Sequence, residues 1–174
     1  MLSLAHSLNA LAVNLRKQGS AQEAELHHLS ALELYGRLSE PVGEAAALTG
    51  LGTLQYDRGE HESALRLCAQ AQQALAGLEE PNGRADLLYT FGKIHLARGE
   101  RDEAFHLFRE AAGIYEELGN WHGEEKVRSF AVNALVSADR RAEAEQSLER
   151  ILQLREWMGG KGVEETRRRL DALR

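Results

Sequence analysis

Residues 81–115 read PNGRADLLYTFGKIHLARGERDEAFHLFREAAGIY, and this stretch contains the pattern that indicates the architecture of the whole chain. Its first half places apolar side chains three or four residues apart, as in a helix with one buried face, at Leu87, Leu88, Phe91, Ile94 and His95. Its second half repeats the pattern at Ala104, Leu107, Phe108, Ala111, Ile114 and Tyr115. Proline suits the first turn of a helix and glycine suits its end, so Pro81 and Gly99 mark the boundaries of the first half. The stretch therefore predicts two helices joined by a tight turn.

The same pattern recurs along the whole chain with a period of forty residues, which indicates an internal repeat. Small residues keep this spacing in three series: Gly43, Gly83 and Gly123; Gly19, Gly59 and Gly99, with Asp139 in fourth place; and Ala24, Ala64, Ala104 and Ala144. No segment alternates apolar and polar residues as a strand does, so we expect an all-α protein. The predicted helices span 2–18, 21–38, 41–58, 61–78, 81–98, 101–118, 121–138, 141–157 and 162–173.

Two glycines, Gly52 and Gly92, fall inside predicted helices, where each costs about 1 kcal/mol relative to alanine. An alanine follows each of them twelve residues later, at Ala64 and Ala104. In an antiparallel helix pair these positions face each other, so we predict that the two backbones approach closely there.

These residues resemble the tetratricopeptide repeat, which combines a large apolar residue, a Leu-Gly pair, a turn glycine and three small or apolar anchors. The first copy supplies Leu8, Leu11-Ala12, Gly19, Ala24, His28 and Ala31. The second supplies Leu48, Leu51-Gly52, Gly59, Ala64, Cys68 and Ala71, and the third supplies Leu88, Phe91-Gly92, Gly99, Ala104, Phe108 and Ala111. The fourth is weaker, with Arg128, Ala131-Val132, Asp139, Ala144, Leu148 and Ile151. The period exceeds the common 34 residues and resembles the longer repeats of kinesin light chains and of bacterial regulators.

The resemblance implies a right-handed α-solenoid of four helix-turn-helix repeats and a C-terminal capping helix. The repeats span about 1–40, 41–80, 81–120 and 121–158, and the capping helix spans 162–173. We expect one domain over residues 1–174. The first repeat has no preceding cap, and an uncapped apolar edge favours self-association.

Length and composition exclude several classes of protein. With 174 residues, 43% hydrophobic and 28% charged, the chain can bury a core, which excludes disorder as its main state. Cys68 is the only cysteine, which excludes a disulfide scaffold. The net charge of −6 opposes nucleic-acid binding, and no apolar run is long enough to span a bilayer. We therefore expect a cytoplasmic protein that binds neither nucleic acid nor membranes.

No motif for catalysis or cofactor binding is present. None of the seven histidines forms the His-Glu-x-x-His pattern of zinc proteases, and no phosphate-binding GxxxxGK[ST] loop occurs. Cys68, His28 and His95 fall at core positions, where we expect them to act in packing. Paired carboxylates near helix ends are expected to be solvated, at Glu79-Glu80, Glu116-Glu117 and Glu124-Glu125. We expect no catalytic residue, no cofactor and no metal.

The family pattern implies that the first helix of each repeat lines a concave groove. Ten polar residues on these helices are the candidates for contacting a bound peptide: Asn9, Arg16, Thr49, Thr53, Tyr56, Tyr89, Lys93, Lys126, Ser129 and Asn133. Tyrosine, threonine, asparagine and lysine suit hydrogen bonding to an extended backbone, with the two tyrosines as anchors. We therefore expect a scaffold that binds a protein or an extended peptide.

An alternative is a self-assembly or regulatory module of a larger protein. Such a module would pair as a homo-oligomer through the uncapped N-terminal repeat, the C-terminal helix or the faces of its second helices. Charge is uneven along the chain, which favours such pairing. Residues 1–125 carry 10 basic and 19 acidic groups, a net charge of −9, whereas residues 126–174 carry 11 basic and 8 acidic groups, a net charge of +3. A small-molecule sensor remains a third interpretation, because a polar groove can also hold a ligand.

Overall fold

Nine α-helices and no β-strand make up the protein, so the predicted all-α class is confirmed. The structure is a computed structural model that describes all 174 residues. The helices are α1 Leu2–Lys17, α2 Ala21–Leu38, α3 Pro41–Asp57, α4 His61–Ala74, α5 Pro81–Ala97, α6 Arg101–Glu117, α7 Trp121–Ser137, α8 Arg141–Trp157 and α9 Val163–Asp171. None of them combines the length and the apolar character that a membrane span requires.

The helix boundaries differ from the prediction mainly in α4, which ends at Ala74 instead of residue 78. Gly77, shortly after the end of α4, takes a left-handed conformation with φ +77°. In the first repeat the corresponding left-handed residue is Ser39, which lies two positions later in the repeat frame. A left-handed residue cannot continue a right-handed helix, so the earlier one stops α4 sooner. The loop between α4 and α5 is correspondingly longer than the other turns.

The turn between the two helices of each repeat depends on one left-handed residue. Gly19, Gly59 and Gly99 have φ values of +88°, +81° and +83°, and Asp139 follows in the fourth repeat with φ +57°. Glycine adopts this conformation without steric cost, and aspartate tolerates it better than most residues. The forty-residue series of glycines in the sequence is therefore a series of identical turns.

A second series fixes where the first helices begin. The side chains of Glu40, Glu80 and Asn120 accept hydrogen bonds from the backbone N–H three residues later, at 2.7, 3.4 and 3.0 Å. That residue is glycine each time, at Gly43, Gly83 and Gly123. Such caps satisfy N–H groups that the first turn of a helix leaves without a partner.

The helices form two compact units, residues 1–104 and residues 105–174, here called unit 1 and unit 2. The division falls within α6, so the single domain over 1–174 stays a prediction. In unit 1, the first and second helices pack through alanines and leucines around Cys68, which is fully buried. In unit 2, Leu170 of α9 packs against Val132, Leu148 and Ile151, so α9 covers an apolar face of α7 and α8. This is the packing that a capping helix requires.

The predicted close approach of α3 and α4 at Gly52 is confirmed. A Cβ atom built on Gly52 would lie 2.9 Å from the Cys68 Sγ and 3.4 Å from the Ala64 carbonyl oxygen. Even a methyl group there would require the Cys68 side chain to move, and a larger side chain would meet the backbone of α4, which explains the glycine inside a helix. Burial raises the pKa of the Cys68 thiol to about 12, although Lys93 opposes this shift.

Unit 2 contains an ionic cluster around a buried carboxylate, which contradicts the sequence expectation for Glu124. This carboxylate is 0% exposed instead of solvated. Arg150 Nε and Nη2 donate to its two oxygens at 2.8 and 3.0 Å, and Arg128 Nε donates at 2.8 Å. Both arginines also contact Glu116, at 3.2 and 3.3 Å. We call these four residues the glutamate–arginine cluster.

The cluster replaces apolar packing at one position of the repeat frame. Arg128 stands where the first three repeats have Leu8, Leu48 and Leu88. Burial alone would raise the pKa of Glu124, but the hydrogen bonds from Arg150 and Arg128 outweigh it and lower the pKa below its ordinary value. Glu124 is therefore ionised at neutral pH and joins α7 to α8.

Candidate functional site

The first helices α1, α3 and α5 lie side by side in unit 1, and each contributes one stripe of the predicted groove. A spacing of three or four residues places successive members of a stripe on the same side of a helix. Seven of the ten candidates belong to these three helices: Asn9, Arg16, Thr49, Thr53, Tyr56, Tyr89 and Lys93.

Three of these residues meet in one place. The Lys93 Nζ lies 4.6 Å from the ring centroid of Tyr56 and 5.3 Å from that of Tyr89. Tyr56 belongs to α3 and the other two to α5, so the contact joins neighbouring repeats. Lys93 is 7% exposed, and both tyrosines are half-buried. A cation held over two aromatic faces is attracted by their quadrupoles, which offsets part of its lost hydration. We call this group the lysine–tyrosine cluster.

Both tyrosines of the cluster keep their hydroxyl protons at neutral pH. Burial raises the pKa of Tyr89 to about 12, with a further contribution from Tyr56, while Arg16 opposes the shift. Burial and the charge of Asp57 also raise the pKa of Tyr56. Protonated phenols both donate and accept hydrogen bonds. The cluster can therefore offer hydroxyl groups and the uncovered parts of two aromatic rings to a ligand, while Lys93, which is 7% exposed, holds the two rings together.

The remaining candidates in unit 1 are engaged in contacts of their own. Arg16 Nη1 pairs with Asp57 Oδ2 at 2.8 Å, which links α1 to α3 beside Tyr56. The hydroxyls of Thr49 and Thr53 donate to backbone carbonyls one turn earlier, at 2.8 and 2.9 Å. The two hydroxyl oxygens can each still accept a hydrogen bond.

Asn9 supports a buried histidine. Its Oδ1 lies 2.7 Å from His28 Nδ1, and His28 is 1% exposed, as predicted for a core position. A Cβ atom on Gly50 would lie 2.3 Å from the His28 ring, so the imidazole lies directly on the backbone of α3. Burial, assisted by the charges of Arg16 and His27, lowers the pKa of His28 to about 4. Neutral His28 therefore donates from Nδ1 to Asn9.

The three candidates in unit 2 lie along α7 and have different surroundings. Lys126 lies with its Nζ 5.8 Å from the ring centroid of Tyr115. The Ser129 Oγ is buried without a hydrogen-bond partner. Asn133 Oδ1 accepts a hydrogen bond from Arg169 of the capping helix at 2.7 Å. The groove role of these residues stays a prediction.

Sequence reasoning missed the partners of several candidates. Asp57, His28 and Arg169 each bind a predicted groove residue, but they lie 41, 19 and 36 residues away from it. The glutamate–arginine cluster had a signal in the sequence, because a charged residue occupies the leucine position of the repeat frame at Arg128. An arginine at a buried position needs a buried acid.

No group of three or more His, Cys, Asp or Glu side chains is arranged to hold a metal ion. Cys68 is fully buried, and its raised pKa keeps the thiol protonated at neutral pH. The thiolate is the nucleophilic form of cysteine. Cys68 is therefore a packing residue.

Comparison with known proteins identifies the family. Two models of the tetratricopeptide repeat match the chain, one at residues 4–41 and one at residues 43–117. Together they cover more than half of the chain, and the model at residues 4–41 describes the kinesin light chain type of repeat. The chain belongs to the tetratricopeptide-repeat family. Repeats of this family are generally protein-interaction modules.

A solved structure supports the fold. BtubC (BKLC) from P. vanneervenii is similar to this chain with a TM-score of 0.80 and 18% sequence identity. The match covers 99% of this chain and 72% of that protein. At this identity the likeness shows the fold alone, an all-α solenoid. Comparison with curated proteins gives no significant match.

Proposed function

We propose that the chain is a scaffold that binds an extended peptide, or an extended segment of a protein, across the first helices of unit 1. The observation that carries this proposal is the lysine–tyrosine cluster. Tyr56 and Tyr89 present aromatic surface from adjacent repeats, and Lys93 lies between them. Tyrosines on a polar surface are typical anchors of protein interfaces because they bury large areas at small entropic cost.

The chemistry around the cluster suits a peptide backbone. An extended backbone exposes carbonyl and N–H groups on both sides, and a binding surface must satisfy them as it displaces water. The tyrosine hydroxyls can donate to carbonyl groups, and the threonine oxygens of α3 can accept from N–H groups. The Arg16–Asp57 pair adds one charge of each sign at the side of the cluster. Affinity in the micromolar range, about −8 kcal/mol, needs only a few such anchors.

The test begins with selection of peptides from a random display library on the immobilised chain. Dissociation constants of the selected peptides are then measured by calorimetry for wild type and variants. We expect Tyr89→Ala and Lys93→Met to weaken binding by about tenfold or more, because each removes one of the three side chains that form the cluster. Arg66→Met, which removes one charge from the exposed side of α4, is the matched control and should bind like wild type.

Asn133 is left out of this variant set because it holds the capping helix through Arg169, so its loss would mix binding with stability. Circular dichroism confirms that each variant keeps its helical content. Selected peptides that bind Tyr89→Ala and Lys93→Met as tightly as wild type would show that the first-helix surface of unit 1 is not the binding site.

A further inference from the structure

Unit 2 carries an open cleft between the second helices α6 and α8, with α7 as its floor. Its volume is about 160 Å³, and its apolar lining includes Phe105, Phe108, Ala112, Ala131 and Leu135. A cavity of about 150 Å³ accommodates benzene. The α6–α8 cleft therefore has room for a leucine side chain.

The cleft exists because two large side chains of the repeat frame are missing. Ala131 of α7 and Ser147 of α8 stand where the second repeat has Leu51 and Leu67. In unit 1, Leu51 and Leu67 pack in the same apolar cluster and fill the corresponding space. The fourth repeat thus lacks two isobutyl groups, and α9 does not replace them because it packs against Val132, Leu148 and Ile151.

Unit 1 has the complementary feature, an apolar pair with nothing covering it. Leu26 and Leu29 of α2 are 65% and 48% exposed, and residues three apart share one face of a helix. The later repeats have no leucine at these two positions, where α4 has Arg66 and Ala69, α6 has His106 and Arg109, and α8 has Gln146 and Glu149. We call Leu26 and Leu29 the α2 leucine pair.

The charges around the two features are opposite. Glu23 lies one turn before the α2 leucine pair and is exposed, whereas Glu33, one turn after it, lies 3.8 Å from Arg37 of the same helix. Arg109 and Glu143 both line the α6–α8 cleft, but Glu143 is ion-paired with Arg140, whereas Arg109 is exposed and has no ion pair within the chain. Over the two units, residues 1–104 carry 9 basic and 14 acidic groups, a net charge of −5, whereas residues 105–174 carry 12 basic and 13 acidic groups, a net charge of −1, so unit 1 is the more acidic. Opposite potentials favour and orient such an encounter.

We propose that a second copy of this chain docks its α2 leucine pair on the α6–α8 cleft, with one leucine side chain inside the cleft and the other against its rim. The contact joins two different surfaces, so it is heterologous. Each copy that is bound through one surface still offers the other, and association continues head to tail until a ring closes. This pairing uses the outer faces of second helices and does not involve the lysine–tyrosine cluster.

The experiment uses the full chain and two variants that carry the residues of the second repeat at the positions in question. Leu26→Arg/Leu29→Ala removes the leucine pair, and Ala131→Leu/Ser147→Leu fills the cleft. Sedimentation velocity over a wide range of concentrations should show wild type above its monomer mass of 19.3 kDa. Each variant should stay monomeric, with a dissociation constant at least about tenfold higher.

Mixing gives the sharper result. The first variant keeps an intact cleft, and the second keeps an intact leucine pair. Their mixture should form a complex of one copy each that grows no further, because both remaining surfaces are blocked. A wild type that stays monomeric throughout, or two monomeric variants that do not combine, would overturn the proposal.

A third variant covers the case in which filling the cleft disturbs the fold. Arg109→Glu changes only an exposed side chain at the rim of the cleft. We expect it to weaken self-association several-fold, and to weaken it more at low than at high salt, because salt screens exposed charges. Self-association of Arg109→Glu equal to that of wild type would mean that the copies meet elsewhere, or that another partner covers the leucine pair.

Discussion

The second and fourth repeats have the same forty-residue frame and both pack apolar side chains between their two helices, yet they differ in one helix–helix contact. In residues 41–80, α3 and α4 touch through Gly52, Ala64 and Cys68, and a Cβ atom on Gly52 would lie only 2.9 Å from the Cys68 Sγ. In residues 121–158, α7 and α8 are joined by the Glu124 carboxylate and the Arg150 guanidinium. One contact depends on small size and the other on opposite charge, so different substitutions should disrupt them.

The comparison also shows where the repeat frame allows variation. Both repeats keep the left-handed turn residue, which is Gly59 in the second and Asp139 in the fourth. Both also keep the capping side chain at the start of the first helix, which is Glu40 in the second and Asn120 in the fourth. Both sites fix the backbone. The position of Leu48 and Arg128, by contrast, is filled by side chains of opposite character. A repeat can therefore change its interior as long as each buried polar group finds a partner.

The largest effect is expected for Glu124→Gln. The change keeps the shape of the side chain but leaves Arg128 and Arg150 with only the partly exposed Glu116 as a charged partner. We expect unit 2 to lose about 3 kcal/mol of unfolding free energy. Both tryptophans of the chain, Trp121 and Trp157, lie in unit 2, so urea unfolding followed by tryptophan fluorescence measures it. The control is Glu164→Gln on the exposed start of α9, and equal midpoints for the two variants would contradict the role given to the cluster.

The next largest change in stability is expected at only one of two glycines that occupy the same position after a helix cap. A Cβ atom on Gly43 would lie 2.2 Å from the ring of buried Tyr35, whereas on Gly83 its nearest neighbour would be the flexible Glu80 side chain, at 3.3 Å. We expect Gly43→Ala to cost about 2 kcal/mol from overpacking. Gly83→Ala should be neutral or stabilising by up to about 1 kcal/mol, because alanine favours the helix. Hydrogen exchange across α3 and α5 measures both, and similar protection in the two variants would refute the steric explanation.

As the pH is lowered, the stability of unit 1 should decrease at a higher pH than the stability of unit 2. The pKa of His28 is lowered from 6.5 to about 4 by burial, so between these values the unfolded chain binds more protons than the folded chain. Stability therefore falls as the pH drops through this window, by about 2 kcal/mol at pH 5. The pKa of Glu124 is lowered from 4.5, so its contribution is lost only below that pH.

Hydrogen exchange at pH 7 and pH 5 tests this order. Protection of α2 and α3 should fall while protection of α7 and α8 is retained. In His28→Gln the additional loss in unit 1 should be absent, because glutamine does not titrate. A decrease that persists in this variant would assign the effect to another group.

The smallest effect is expected for Arg16→Gln. The Arg16–Asp57 pair also joins two helices, but its side chains are 29% and 39% exposed. Exposed pairs contribute about 0–1 kcal/mol and are weakened by salt. We expect a loss below about 1 kcal/mol of unfolding free energy by urea titration, disappearing at high salt. A loss as large as that of Glu124→Gln would mean that burial does not explain the difference between the two ion pairs.

The fold was predictable from the sequence because its signals are local. The glycine turns and the apolar spacing located nine helices, and eight of them end within two residues of the predicted boundaries. The exception, α4, ends early because Gly77 takes a left-handed conformation there, although Arg37, at the equivalent position of the first repeat, remains helical. A glycine permits this conformation without requiring it, so the sequence alone did not decide between the two.

The candidate site was less predictable because its contacts join distant residues. Helical spacing placed Tyr56, Tyr89 and Lys93 on first helices, but their meeting depends on how neighbouring repeats stack. Glu124 was expected to be solvated because it lies near a helix end, yet Arg128 and Arg150 bury it. The only trace of this cluster in the sequence is Arg128 at the leucine position of the repeat frame, which does not identify its partners.

Because Cys68 is buried, the alkylation rate of this single thiol can report how often its helix pair opens. A protonated thiol that is 0% exposed cannot be alkylated until the contact with Gly52 opens. When alkylation is fast relative to closing, the labelling rate equals the opening rate of this helix pair, and when it is slow, the rate gives the free energy of opening. A single reagent can thus time the motions of unit 1 in the unmodified protein, without an engineered label.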